Sequence, residues 1–232
     1  MHLSAAVSGP CGEPAPPHAP LMLSVGRPPQ YVAIRLHHTG LLTVGALPWG
    51  SEAACAAILE RRPAMLLLSA PDTDADTLTR LIRAASRIAP VAVLRSGGID
   101  AVAAFDAGAC DVLDPNTPTA ELAWRIRADL RRCPPAPTDP RGPTGTASQR
   151  LLLDALSRAR SPVCCHHLRL LLGTPDLPMT LRALRARLQR LLPALTDQGL
   201  ELVVDQQWGL ATYRTRRAPS RQRPDETGGG AP

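Results

Sequence analysis

The chain has 232 residues, enough for two modest domains, and is 44% apolar but only 3% aromatic, so its cores must be built from Leu, Ala and Val. Every one of its 26 basic residues is arginine, which excludes Schiff-base chemistry and any phosphate loop built on a Gly-Lys pair. The formal charge of +6 admits an anionic partner without specifying one.

No segment approaches ~20 uninterrupted apolar residues, and the N-terminus lacks a cationic start with an apolar run of signal length. The six cysteines (Cys11, Cys55, Cys110, Cys133, Cys164 and Cys165) form no CxxC pair and no disulfide-framework spacing. A cytoplasmic protein with reduced thiols is expected.

Residues 1–20 are rich in Pro, Ala and Gly and are expected to be disordered. Residues 21–25 are an apolar run of strand length. A helical pattern then runs from Pro28 through Tyr31, Ile34 and Leu36 to Gly40. Residues 41–47 are strand-like. Ser51 caps a helix over 53–61 with Glu52 in its first turn, and Pro63 ends it. Residues 65–69 form the most apolar strand. The acidic loop that follows, with Asp72, Asp74 and Asp76, is read as a solvated turn rather than a metal site. A helix over 78–88 turns Leu78, Leu81, Ile82 and Ala85 inward. A strand at 91–94, a small helix at 101–107, a strand at 111–113 and an amphipathic helix at 118–132 complete five βα units.

Continuous apolar strands alternating with amphipathic helices predict a parallel sheet covered on both faces. The spacing suits a doubly wound, flavodoxin-like order. No Gly-rich loop follows the first strand, which argues against a nucleotide or flavin cofactor, and no cofactor is expected.

Residues 133–145 are a Pro-rich linker. Thr146 and Gln149 form a capping box ahead of Leu152, Leu153 and Leu156. Pro162 is expected to open a helix that runs through Leu168 to Leu172 and stops at Gly173. Helix 178–192 follows, with Leu181, Leu184, Leu188 and Leu191 on one face. Arg182, Arg185 and Gln189 share a different face, with Arg187 and Arg190 at the flanks. A two-stranded ribbon, 202–205 and 209–213, surrounds Gln206, Gln207 and Trp208. Trp208 either meets a minor-groove edge or packs back on the helix. Residues 216–232 are basic, then Gly-rich, and are expected to be disordered. In the run Cys164-Cys165-His166-His167 neighbours on a helix point about 100° apart, so the four cannot converge on one ion and no metal is expected.

The segments RPAMLLLS (62–69), IAPVAVLRS (88–96), AAFDAGACDVL (103–113) and PTAELAWRIRADLRR (118–132) resemble the receiver domain of OmpR/PhoB-type response regulators. TASQRLLLDAL (146–156) and LRALRARL (181–188) resemble the first and recognition helices of the winged helix-turn-helix that follows it. The resemblance implies a CheY-like α/β receiver with a five-stranded parallel sheet over 21–132. It also implies a small winged domain over 146–215, made of three helices plus a β-hairpin. Its implied partners are double-stranded DNA and a second copy of the chain, with RNA polymerase a further one. It implies no enzyme activity, no membrane and no small-molecule substrate. Carried over position by position, the DNA-facing residues are Met179, Thr180, Arg182, Arg185 and Gln189. Arg187, Gln207, Arg214 and Arg216 are candidates for backbone contact. The implied dimer face is 101–107, 111–113 and 118–132, where Asp111 pairs with Arg125 or Arg127 either across the dimer or within one chain.

The departures from the family are specific. A working receiver holds magnesium with an acidic pair after the first strand and attacks phosphate with an aspartate after the third. Here Ser24-Val25-Gly26-Arg27 follows the first strand, and Ser69 stands at the acceptor position. Arg95 or Ser96 replaces the hydroxyl residue after strand four, and Asp114 or Pro115 the lysine after strand five. Phosphorylation by the usual route is therefore not expected. No four-stranded sheet fits between linker and first winged-domain helix, so the domain is trimmed, with packing on the receiver-like domain as the expected compensation. The rival reading is a signalling adaptor that binds a protein partner and no longer reads DNA.

Overall fold

The computed structural model describes residues 18–27, 30–95, 100–133, 146–159, 161–207 and 210–218. The expectations for 1–17, Pro28, Ser96, 134–145, Trp208, Gly209 and 219–232 lie outside the described residues.

The first unit is a parallel sheet of β1 (Leu21–Ser24), β2 (Leu47–Pro48), β3 (Leu66–Ser69), β4 (Val91–Leu94) and β5 (Ala109–Leu113). Their order is β2-β1-β3-β4-β5, the doubly wound, CheY-like order expected. Registry runs straight across the centre, with Leu21 beside Leu66 and Leu66 beside Val91. The three central strands, β1, β3 and β4, are apolar except for the terminal Ser24 and Ser69, because both faces of the sheet are covered. Leu66, Leu68, Val91 and Val93 face α2 (Glu52–Arg61) and α3 (Ala75–Ala85). Met22, Leu67, Ala92 and Leu94 face α1 (Gln30–His38) and α5 (Thr119–Arg132). The short α4 (Ala101–Asp106) adds Ala104 to the first of these layers.

Three local expectations change. Residues 41–47 form a strand only at Leu47–Pro48. Thr39 and Leu41 both donate to the Leu36 carbonyl, and Gly40 turns the chain at φ 71°, so Leu41 and Leu42 bury themselves from a loop instead of pairing. In α1 the buried face is Val32, Ala33 and Leu36, while Tyr31 and Ile34 are 49% and 57% exposed. Helix α3 starts at Ala75 rather than 78 and ends at Ala85. Asp74, assigned to a solvated turn, is its N-cap and accepts 2.9 Å from the Thr77 amide, which holds the Asp74 carboxyl below the ordinary carboxylate range.

The second unit contains α6 (Ala147–Arg158), β6 (Val163–Cys164), α7 (Cys165–Leu171), α8 (Leu181–Asp197), β7 (Leu200–Gln207) and β8 (Leu210–Arg217). The capping box is present, with the Gln149 amide donating to Thr146 Oγ1 and the Thr146 amide to Gln149 Oε1. Pro162 does not open a helix. Val163, fully buried, pairs antiparallel with Tyr213 and adds a third strand to the hairpin in the order β6-β8-β7. The α8 bounds also shift, starting three residues later and running five further, through Pro193. A helix-interior proline costs about 3 kcal/mol. Leu195, fully buried one turn after Leu191, offsets that cost by continuing the core face. The hairpin reaches Arg217, so 216–217 belong to a strand and not to a tail.

The two units share one core. Ala147, Leu151 and Ala155 of α6 and Leu170 and Leu171 of α7 pack into the same apolar cluster as Ile58, Leu81 and Ile88. Trp49, buried, donates from Nε1 to the Leu170 carbonyl at 2.9 Å. Arg62 pairs with Asp154, which Arg158 also approaches at 3.1 Å. Arg87 reaches Ser161 at 3.0 Å. The second unit, which has a core of its own around Leu152, Leu184 and Tyr213, thus adds core shared with the α2–α3 face of its neighbour.

Candidate functional site

Helix α8 carries opposed faces. Leu184, Leu188, Leu191 and Leu195 are buried with Leu152, Leu156, Leu168 and Tyr213. Arg182, Arg185, Gln189 and Arg190 are exposed. The approach to the helix is clasped. Met179 N donates to the Arg169 carbonyl at 3.1 Å, and Arg169 Nε returns a bond to the Met179 carbonyl. Thr180 is the N-cap, accepting 3.2 Å from the Ala183 amide. These bonds fix where α8 starts relative to α7.

The expected contact residues fall into three groups. Arg182, Arg185 and Gln189 stand together on the open face. Met179 and Thr180 precede the helix, the first half-buried against the core and the second with its hydroxyl engaged as cap. Arg187 turns the other way and donates to Ser148 of α6.

The hairpin lies beside this face. Gln207, exposed, donates to Asp205 at 3.3 Å. Arg214 and Arg216 are not beyond the wing, as expected, but within β8 on its outward row. Arg216 Nε lies 2.9 Å from Glu201 Oε2 on the facing strand, so its charge is partly matched. A cleft of about 530 Å³ separates α8 from the sheet, lined by Arg185, Gln189, Leu192, Val204 and Tyr213. Burial pushes the Tyr213 phenol above its ordinary value, while Arg185 beside it acts in the opposite direction.

On the implied dimer face, Asp111 is bound within its own chain: Arg125 Nη2 lies 2.7 Å from its carboxylate. Arg127 donates 2.9 Å to the Thr39 carbonyl and lies 5.8 Å from the Trp124 ring centroid. Within the chain Asp111 thus pairs with Arg125 and not with Arg127. Val102, Phe105 and Trp124 remain exposed on this face, at 65%, 48% and 63%.

A second concavity, about 640 Å³, opens at the carboxyl ends of the parallel strands. Ser69, buried at the end of β3, sits in it where an acceptor carboxylate is expected of a receiver. Arg27 after β1 and Arg95 after β4 line it together with Asp72, Tyr31 and Pro115. Arg35 fixes the far wall, donating to the Thr119 hydroxyl at 2.8 Å, to the Pro115 carbonyl at 2.7 Å and to the Thr117 carbonyl. Arg27 and Arg95 register in the sequence only as departures from the family pattern. Their convergence depends on the strand order, which brings β1 and β4 to either side of β3.

In Cys164–His167, the Cys164 thiol caps α7, accepting from the His166 amide at 3.4 Å, and Cys165 is buried in the core. Burial raises the Cys55 thiol to about 11 and the Cys110 thiol to about 12, which keeps both protonated and weakly nucleophilic. No described helix is long and apolar enough to cross a membrane.

The fold is a CheY-like, doubly wound α/β unit followed by a second, helix-and-hairpin unit. No family model and no curated protein matches the chain. Among solved structures it is similar to the signal receiver domain of NarL from Mycobacterium tuberculosis, with 18% identity over 50% of this chain and 98% of that one, at a TM-score of 0.39. A CheY-like protein from Pseudomonas aeruginosa is 21% identical over 50% of this chain and 97% of its own, at a TM-score of 0.37. The response regulator DrrB of Thermotoga maritima, an OmpR/PhoB homologue, spans both units, covering 84% of this chain and 97% of its own at 16% identity and a TM-score of 0.34.

Proposed function

We propose that the chain is a DNA-binding transcriptional regulator, not an enzyme, that acts as a dimer and without phosphorylation of its receiver-like unit. The observation that supports this most is the open face of α8. Arg182, Arg185 and Gln189 project from a helix whose opposite side is locked into the core, with the β7–β8 hairpin alongside. Guanidinium groups on such a face can bind guanine edges bidentately or phosphate oxygens. Independence from phosphorylation is supported by Ser24, Ser69 and Arg95 at the strand ends, which supply neither a metal-binding acidic pair nor a carboxylate nucleophile.

The adaptor reading draws its support from Val102 and Phe105 of α4 and Trp124 of α5, large apolar side chains that stay exposed among the described residues. Fluorescence anisotropy on duplex DNA separates the two. A regulator binds, and replacing Arg182 and Arg185 by alanine weakens it by about tenfold or more. An adaptor shows no binding, or binding that the replacements leave unchanged.

A further inference from the structure

We propose that the cleft at the carboxyl ends of β1, β3 and β4 binds a small organic anion, a carboxylate or phosphate carried on an apolar or aromatic body. Arg27 and Arg95 take the charged group. The binding is non-covalent, and the inference stands apart from DNA recognition.

Position is the first argument. In the order β2-β1-β3-β4-β5 the chain leaves β1 towards one face, through α1, and leaves β3 towards the other, through α3. The crevice between such strands is where open α/β sheets hold ligands. Its volume of about 640 Å³ suits a small organic molecule.

Charge is the second. Two guanidiniums face one carboxylate, Asp72, so the site favours anions. Arg95 adds an unmet need: its Nε and Nη1 atoms are buried and have no partner among the described residues. Buried donors are almost always paired, and each left unpaired carries a desolvation cost that an oxyanion in the cleft would remove. The buried Ser69 hydroxyl stands between the arginine-bearing strand ends and can donate to the same oxyanion.

The walls are the third. Tyr31 and Ile34 occupy the α1 positions that turn away from the core, and both line this cleft, as do Leu94 and Pro115. The Arg35 bonds to the loop after β5 hold Pro115 in place. The cleft therefore combines two cationic side chains with apolar walls.

The test uses the full chain and isothermal titration with phenyl phosphate and phenylacetate, with 2-phenylethanol as the neutral counterpart. Both anions are expected to bind with a Kd near ~1 mM and the alcohol about tenfold more weakly or not at all. Arg95→Gln and Arg27→Gln should each weaken the anions about tenfold. Arg27 is exposed, so its replacement reports on the site even if the Arg95 variant does not fold. Failure of both anions to bind at ~10 mM, equal binding of the alcohol, or an Arg27→Gln variant with unchanged affinity would overturn the proposal.

Discussion

The indole Nε1 of Trp49 donates a 2.9 Å hydrogen bond to the carbonyl of Leu170, 121 residues further along the chain. One residue on, Gly50 holds φ at +73°, and a Cβ there would lie 2.1 Å from the Gly173 carbonyl oxygen. Ring, hydrogen bond and backbone approach meet at one point between the two units. The orientation of α8 is therefore tied through α7 to the receiver-like sheet and does not depend on the linker.

Trp49→Ala should destabilise the whole chain by about 3–5 kcal/mol, and Trp49→Phe, which loses chiefly the hydrogen bond, by about 1–2 kcal/mol. Thermal unfolding of the wild type, followed by circular dichroism, should give a single transition, since the units share one core. Two separate transitions in the unmodified protein would show that the interface contributes little.

Gly50→Ala should cost more than the ~1–3 kcal/mol of a strained backbone alone, because the added methyl meets backbone rather than a movable side chain. Calorimetry should record either a large drop in Tm or independent melting of the two units. An unchanged Tm would place the close approach in error.

Interface stability should fall in mild acid. Burial, reinforced by Arg83 of α3 and by Arg87 just after it, holds the His167 imidazole below its ordinary value of 6.5, and its Nδ1 is buried without a partner among the described residues. With the folded value below the unfolded one, the unfolded chain binds more protons in the window just under pH 6.5. The stability is complete above that window and is lost as pH falls through it. His167→Gln should therefore flatten the fall in Tm between about pH 7 and about pH 5.5, a range that leaves ordinary carboxylates ionised. Parallel curves for variant and wild type would remove His167 as the cause.

The exposed Val102 and Phe105 of α4 and Trp124 of α5 are the proposed dimer contacts. Phe105→Glu places a charge among them and leaves the core untouched. Sedimentation should show wild-type dimer and variant monomer, with duplex affinity weakened by about tenfold or more through lost avidity. A variant that remains dimeric would move the interface elsewhere.

The regular elements were legible where local chemistry decides them. The strand at Val91–Leu94 is apolar throughout, and Thr146 with Gln149 writes its capping box into four residues. Long-range competition decided the rest. Val163–Cys164 reads as the start of a helix until Tyr213 is beside it. Pro193 reads as a stop until Leu195 is seen filling the core. The face of Arg182, Arg185 and Gln189 was visible as a helical spacing, whereas the turn of Arg187 back to Ser148 depends on α6 and was not. Nor was the contact of Trp49 with Leu170, since no periodicity relates residues so far apart.

The central claim is that α8 reads DNA, and the salt dependence of duplex binding tests it most directly. Each phosphate neutralised contributes a slope of about −0.9 to log K against log salt. The wild type should bind with a steep negative slope, and Arg182→Ala/Arg185→Ala should lose affinity. Where those arginines meet phosphate, the slope should become shallower by up to roughly two units per protomer. Absence of salt-dependent binding, or a double variant that matches the wild type in both affinity and slope, would contradict the account.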